Sequence, residues 1–128
     1  MITLADYYMG RDAKYPDALT PEIEANALEL LARVNLLLES FGETRKVNSG
    51  WRPPEVNAKT AGAALKSKHM TGQAIDLEDA DGDLDEWCLD NTSELERLQL
   101  WHEHPAATKN WAHLQSVPPR SGKRCFYP

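Results

Sequence analysis

The chain has 128 residues, of which 20 are acidic and 14 are basic, so its formal net charge is −6. A domain of this length buries roughly 68% of the surface of its unfolded chain, enough for a core without disulfide staples. An apolar fraction of 41% excludes wholesale disorder, and the acidic balance argues against a nucleic-acid partner, whose phosphates need a basic surface. We therefore expect one domain over residues 1–128.

Membrane and disulfide classes are also disfavoured. No run of apolar residues exceeds three, far from the ~18 of a membrane span. The first eight residues include Asp6, Tyr7 and Tyr8, which is not the pattern of a secretory signal. Cys88 and Cys125 have no CxxC partner, so we interpret them as reduced structural thiols. We expect no membrane partner and no signal peptide.

The first strong structural pattern follows an aperiodic start. Residues 1–20 are interpreted as an irregular arm or a short helix. Thr20 can then cap a helix whose first position suits Pro21, and Gly42 can end it. The apolar residues between them form one helical stripe, Ile23, Ala27, Leu30, Leu31, Val34, Leu37, Leu38 and Phe41. The pattern predicts a structural helix over 21–41.

The elements beyond Gly42 are short. We predict strands over 46–51, 73–77, 100–103 and 111–117, helices over 84–89 and 93–98, and a helical turn at 55–59. Asp83 and Thr92 are the expected N-caps of the two helices. The loop 60–68, the acidic turn 79–83 and the basic tail 118–124 are interpreted as exposed. This mixture without a repeated βαβ unit predicts an α+β fold.

One constellation of residues has metal-binding chemistry. His69 and Asp76 lie seven apart in SKHMTGQAID, and His113 lies in WAHLQ. Imidazole and carboxylate groups are good Zn²⁺ ligands, and three protein ligands with one water make an open, catalytic type of site. Gly72 allows the backbone to turn between a loop ligand and a strand ligand. The alternative is that these residues never meet and the domain holds no metal.

His102 and His104 form a rival pair. They stand two apart, would share one strand face and could also bind a metal ion. They flank a predicted turn at Pro105, however, so we interpret them as exposed loop histidines.

Three segments resemble the zinc peptidases of the M15 type, which include DD-carboxypeptidases and phage endolysins. Residues 67–76 match the pattern S-x-H-x-x-G-x-A-x-D of that family at every fixed position. SGWRP at 49–53 resembles the SGYR segment that precedes it, and WAHLQ at 111–115 resembles the strand with the last zinc histidine. MGRD, the long helix and the closing residues are similar to phage and prophage members. The resemblance implies a hedgehog/DD-peptidase-like fold, a small antiparallel sheet with helices packed on it.

The resemblance also implies roles for particular side chains. It implies three zinc ligands, His69, Asp76 and His113. Arg52 aligns with an arginine that steadies the carbonyl oxygen as it becomes an oxyanion. Substrate contacts are implied at three further positions, Ser67, Gln73 and Trp111.

One position departs from the family pattern. A catalytic Glu or Asp normally stands three residues before the last zinc histidine, where it takes the proton of the attacking water. This chain has Asn110 there, and an amide cannot act as a general base. Either hydrolysis is lost, or another carboxylate replaces the acid. Glu103 is the candidate because its predicted strand precedes that of His113; the alternative for Glu103 is an exposed acid at a strand end.

Two functions are consistent with these residues. The first is a zinc-dependent peptidase acting on the stem peptides of bacterial peptidoglycan, as a D-Ala-D-Ala carboxypeptidase or an endolysin-like endopeptidase. The second is a zinc-containing module that binds cell wall or builds a phage particle without turnover, which Asn110 favours. We expect the chain in a bacterial or phage-infected cytoplasm, reaching the wall after release or within a virion.

Overall fold

The computed structural model of the chain describes residues 1–128 as helices around one five-stranded sheet. The helices are α1 (Leu4–Tyr8), α2 (Arg11–Lys14), α3 (Pro21–Phe41), α4 (Pro54–Lys59), α5 (Asp83–Asp90) and α6 (Thr92–Leu98). The strands are β1 (Val47–Ser49), β2 (Ala74–Glu78), β3 (Trp101–Glu103), β4 (Trp111–Gln115) and β5 (Cys125–Phe126). This architecture confirms the predicted α+β class. None of the helices combines the length and the apolar character needed to cross a membrane.

The long helix α3 has the predicted bounds. Thr20 Oγ1 accepts a hydrogen bond from the backbone N–H of Ile23 at 3.2 Å. At the other end Gly42 is left-handed, with φ 94°, and its N–H donates to the carbonyl of Leu38. The buried stripe between these caps consists of Ala27, Leu30, Leu31, Val34, Leu37 and Leu38. Each such side chain contributes about 1.5–3 kcal/mol when fully buried, so α3 is a main wall of the core.

The sheet has the strand order β1-β2-β4-β3-β5. Its first three pairs are antiparallel, and β5 lies parallel to β3 at the edge. The first four strands confirm the sequence prediction to within two residues at each end, whereas β5, which follows the tail 118–124, was not predicted. The N–H groups of His102 and His104 donate to the carbonyls of Arg124 and Phe126 at 2.8 and 2.7 Å. A strand of two residues leaves no alternation for sequence analysis to detect.

The N-terminal twenty residues belong to the core. Of the two alternatives, an irregular arm or a short helix, the structure has helices: α1, α2 and a short 3-10 turn at Pro16–Ala18. Tyr7 and Tyr8 are buried. The hydroxyl of Tyr7 donates to the carbonyl of Ala74 at 2.8 Å, and the carbonyl of Tyr7 accepts from the N–H of Trp51 at 3.1 Å. The segment therefore supports β2 and the residues that follow β1.

The acidic turn before α5 is capped differently from the prediction. Asp83 and Thr92 are the first residues of α5 and α6, and neither helix has a side-chain cap from its flanking residue. Asp79 is buried instead, and its two carboxylate oxygens accept from the N–H groups of Leu84 and Asp85 at 3.0 and 2.9 Å. The left-handed Gly82 lets the chain fold back so that Asp79 reaches the helix end.

The expectation of an exposed His102 is wrong. This imidazole is fully buried, because α5 covers its face of β3. Its Nε2–H donates to Asp85 Oδ1 at 2.6 Å, and its Nδ1 lies 3.7 Å from the sulfur of Cys125. The ring of His104 stacks on Tyr127 at 4.5 Å. Both cysteines are free, as predicted, and Cys88 is buried.

We predict that Asp79→Ala lowers the free energy of unfolding by about 2 kcal/mol, since it removes two charge-assisted hydrogen bonds from a helix N-terminus. Asp83→Ala is the matched control and should change it by no more than about 0.5 kcal/mol. Urea denaturation of both variants measures the difference. Equal losses would show that the two carboxylates contribute alike.

Candidate active site

The centre of the site is a pair of residues on adjacent strands. Asp76 of β2 lies directly opposite His113 of β4 in the antiparallel register. Directly opposed residues project from the same face of a sheet, so the two side chains meet. Asp76 Oδ1 lies 2.8 Å from His113 Nδ1.

His69 reaches this pair from the loop before β2. Its Nε2 lies 3.3 Å from Asp76 Oδ2, and the two imidazole rings are 5.4 Å apart between centroids. Gly72 makes the turn that sequence analysis assigned to it, with φ 76°. A Cβ there would also lie 2.7 Å from the carbonyl oxygen of Ile23 in α3. Glycine is therefore required both for the turn and for packing the loop on α3.

The segment SGWR holds the His69 loop in place. The carbonyl of Gly50 accepts from His69 Nδ1–H at 2.9 Å. The N–H of Arg52 donates to the carbonyl of His69 at 3.1 Å, and the indole N–H of Trp51 donates to that of Met70 at 3.2 Å. A Cβ on Gly50 would lie only 1.9 Å from the carbonyl oxygen of Tyr7. Two segments that are separate in sequence are thus one hydrogen-bonded unit.

The outer nitrogens of both imidazoles face oxygens that accept hydrogen bonds. Gly50 O can only accept, so His69 carries its proton on Nδ1 and turns the Nε2 lone pair towards Asp76. Gln115 donates through its amide nitrogen to the carbonyl of Val117, which leaves its oxygen to accept from His113 Nε2–H at 2.9 Å. With neutral imidazoles, Nδ1 of His113 and Nε2 of His69 therefore present lone pairs to a carboxylate.

Such an arrangement needs positive charge between the acceptors. One donor atom from each of His69, Asp76 and His113 lies within 4.8 Å of the others. Two imidazole nitrogens and one carboxylate oxygen are a set of ligand atoms that Zn²⁺ prefers. The cation would attract the lone pairs of all three groups, which otherwise repel one another. These residues fit a metal ion by their chemistry and orientation.

The pKa values of the three groups reflect the same competition. Burial acts to raise the pKa of Asp76, but hydrogen bonds with His113 and His69 outweigh it and bring the pKa below its ordinary value. Burial lowers the pKa of His69 despite the opposing carboxylate. Burial also acts to lower the pKa of His113, but Asp76 and Gln115 outweigh it and raise the pKa. Protons therefore compete with a metal ion for this cluster.

The cluster opens into a cleft of about 460 Å³. Four of the other predicted functional residues line it, Arg52, Ser67, Glu103 and Trp111. Gln73 is not among the lining residues. Its amide oxygen accepts from the hydroxyl of Thr71 at 2.7 Å. Gln73 lies three residues before Asp76, and because side chains alternate between the two faces of a strand, this spacing places Gln73 on the face opposite Asp76.

Glu103 lies beside the pair of Asp76 and His113, whereas Asn110 does not. The pairs Trp101↔Gln115 and His102↔Leu114 set a register that brings Glu103 next to His113. Burial raises the pKa of Glu103, and His113 opposes this. Asn110 has a left-handed backbone with φ 77° and lines a separate pocket with Asp79 and Asp85.

Arg52 brings a positive charge to the cleft that it lines. Its side chain is buried, and its Nε–H is enclosed without a hydrogen-bond partner in the protein. Burial lowers the pKa of the guanidinium, an effect that Asp76 opposes, and a guanidinium stays charged under any physiological condition. Arg52 is therefore a fixed cation in the same cleft as His69, Asp76 and His113.

An α+β domain with a His/Asp/His cluster in a cleft that also holds an arginine and a glutamate has the parts of a metal-dependent hydrolase. The sequence model of the family described as Peptidase M15 matches residues 10–115, and the chain belongs to this family of zinc-dependent peptidases. Among curated proteins and among solved structures, none matches the chain.

We predict that Gln115→Leu weakens Zn²⁺ binding by about 10- to 100-fold, because His113 loses the acceptor that orients its ring. Gln73→Leu is the matched control, since its amide points away from the cleft. Competition with a chromogenic chelator measures both affinities. Equal affinities of the Gln115→Leu variant and the wild type would contradict this role.

Proposed function

We propose that this protein is a zinc-dependent peptidase that hydrolyses peptide bonds in the stem peptides of bacterial peptidoglycan. Its reaction is that of a D-Ala-D-Ala carboxypeptidase or of an endolysin-like endopeptidase. Membership of the M15 family supports the peptidase class. The observation that carries the proposal is Glu103, a carboxylate that lines the same cleft as His69, Asp76 and His113.

Each metal-binding residue has a defined task in this proposal. His69, Asp76 and His113 would hold the ion, and Gly50 and Gln115 keep the two imidazoles in tautomers that leave Nε2 of His69 and Nδ1 of His113 free to bind it. When bound, a zinc ion supplies Lewis-acid polarisation of the scissile carbonyl and lowers the pKa of a water molecule.

Glu103 acts as the general base and then as the general acid. Its carboxylate takes a proton from the water whose oxygen bonds to the carbonyl carbon, and it gives that proton to the leaving nitrogen as the C–N bond breaks. Burial raises the pKa of Glu103, which moves it towards the pH at which both transfers are efficient. Glu103 thereby replaces the acid that the family places at the position of Asn110.

Arg52 stabilises the negative charge that develops on the carbonyl oxygen. Its guanidinium lines the cleft and is held there by burial, so its positive charge is in place before the oxyanion forms. The cleft is also lined by the small residues at 60–64, which leave room for a peptide, and by Ser67 and Trp111.

We predict that Glu103→Gln lowers kcat by about 10²- to 10⁴-fold while the zinc content stays that of the wild type, because only the proton transfer is lost. Asn110→Asp is the control, and it should not raise turnover because that side chain lies outside the cleft. Release of peptides or of D-alanine from purified peptidoglycan, followed by mass spectrometry, measures turnover and identifies the bond.

The same assay separates hydrolysis from binding. His69→Ala should lose both zinc and turnover. Full zinc occupancy with no product from walls of different stem-peptide composition would overturn the peptidase proposal in favour of a wall-binding or phage structural module. Full turnover in Glu103→Gln would remove Glu103 from the mechanism.

We further predict that Arg52→Lys lowers kcat by about 10²- to 10³-fold with a smaller change in KM, since the interaction is made in the transition state. Lysine keeps the positive charge but loses the planar fork of donors. Steady-state kinetics on a stem peptide measures the effect, and an unchanged kcat would contradict it.

A further inference from the structure

One row of side chains crosses the whole sheet. Ser49 pairs with Asp76, Asp76 with His113, and Glu103 with Phe126. The register of β3 and β4 brings Glu103 beside His113, which closes the row. Phe126 of β5 is therefore the neighbour of the proposed general base on the side away from the metal-binding cluster.

The ring of Phe126 leans over Glu103 towards His113. Two strand spacings separate β4 from β5, or roughly 9–10 Å between backbones. The rings of Phe126 and His113 are only 6.2 Å apart between centroids, with an interplanar angle of 84°. Phe126 is 6% exposed, so its ring is enclosed at this position. An edge-to-face pair of this kind is worth about 0.5–1.5 kcal/mol and has a preferred orientation.

Contacts outside the cleft hold β5 in place. The guanidinium of Arg124 donates to the carbonyl of Leu100 at 3.1 Å and lies over the ring of Trp101 at 4.4 Å. β5 is thus held by contacts that do not involve the ring of Phe126.

The family match ends at Gln115, so β5 lies outside the matched residues. Pro128, two residues after Phe126, lines the cleft together with Glu103 and His113. We propose that Phe126 is a positioning residue of the active site, which orients the imidazole of His113 and the carboxylate of Glu103. The part concerning Glu103 rests on the proposed peptidase function; the part concerning His113 does not.

Three variants test this proposal. Phe126→Ala removes the ring, Phe126→Tyr restores an aromatic edge, and Tyr127→Ala is the control at the exposed residue that follows β5. In the metal-free protein, the ring C–H resonances of His113 should shift in Phe126→Ala by more than the lost ring current of Phe126 accounts for, because the imidazole changes its orientation. They should return towards wild-type values in Phe126→Tyr and stay unchanged in Tyr127→Ala.

Kinetics supplies the second readout. In Phe126→Ala we expect kcat on stem peptides to fall about tenfold or more with KM changed less, since a small displacement of a catalytic group slows the chemical step. Phe126→Tyr should recover most of the loss. Tyr127→Ala should keep wild-type kcat.

The outcomes separate the two proposals. A Phe126→Ala protein whose His113 resonances move only by the lost ring current, and whose kcat is that of the wild type, would overturn the positioning role even if its thermal stability is lower. If Phe126→Ala does not fold, the same criteria apply to Phe126→Leu, which keeps apolar volume but lacks a ring current. A wild-type protein without turnover would defeat the peptidase proposal alone, because the His113 resonances still decide the role at His113.

Discussion

The structure depends on one electrostatic constraint, the convergence of two imidazole lone pairs on the carboxylate of Asp76. The oxygens of Gly50 and Gln115 accept hydrogen bonds from His69 Nδ1 and His113 Nε2. When the rings are neutral, the other nitrogen of each ring, which faces Asp76, therefore carries no proton and cannot donate to the carboxylate. Left without positive charge, three buried acceptors would repel one another. A proton or a metal ion must therefore occupy this point, and the surrounding fold holds the acceptors ready for it.

The scaffold that resists this repulsion is drawn from distant parts of the chain. Tyr7 supports both β2 and the segment after β1, and it packs so closely on Gly50 that no side chain fits between them. The loop of His69 rests on α3 through Gly72, and the amide of Asn26 donates to the carbonyl of Thr71 at 3.0 Å. Helix α3 thus stabilises the core through its apolar face and supports the loop of His69 through Ile23 and Asn26.

The proposed general base lies on a different strand from the position at which the family pattern places a catalytic acid. Asn110 precedes β4 in a left-handed turn and faces a separate acidic pocket. Glu103 lies on the next strand, beside His113. A carboxylate is required near the reacting carbonyl, but the strand that supplies it is not prescribed, because neighbouring strands are only about 4.8 Å apart.

The sequence by itself determined the features that depend on local chemistry. The caps and the stripe of α3 and the glycine turn at Gly72 follow from residue type and spacing alone. The cluster of His69, Asp76 and His113 was expected from residue type together with the resemblance to the M15 family, and the structure brings the three side chains together. Only the tertiary structure decided what depends on long-range pairing. It buried His102 against Asp85, made Asp79 rather than Asp83 the anchor of α5, and added β5 to the edge of the sheet. Each of these outcomes brings together groups whose sequence neighbours carry no periodic signal, so packing settles them after the local elements have formed.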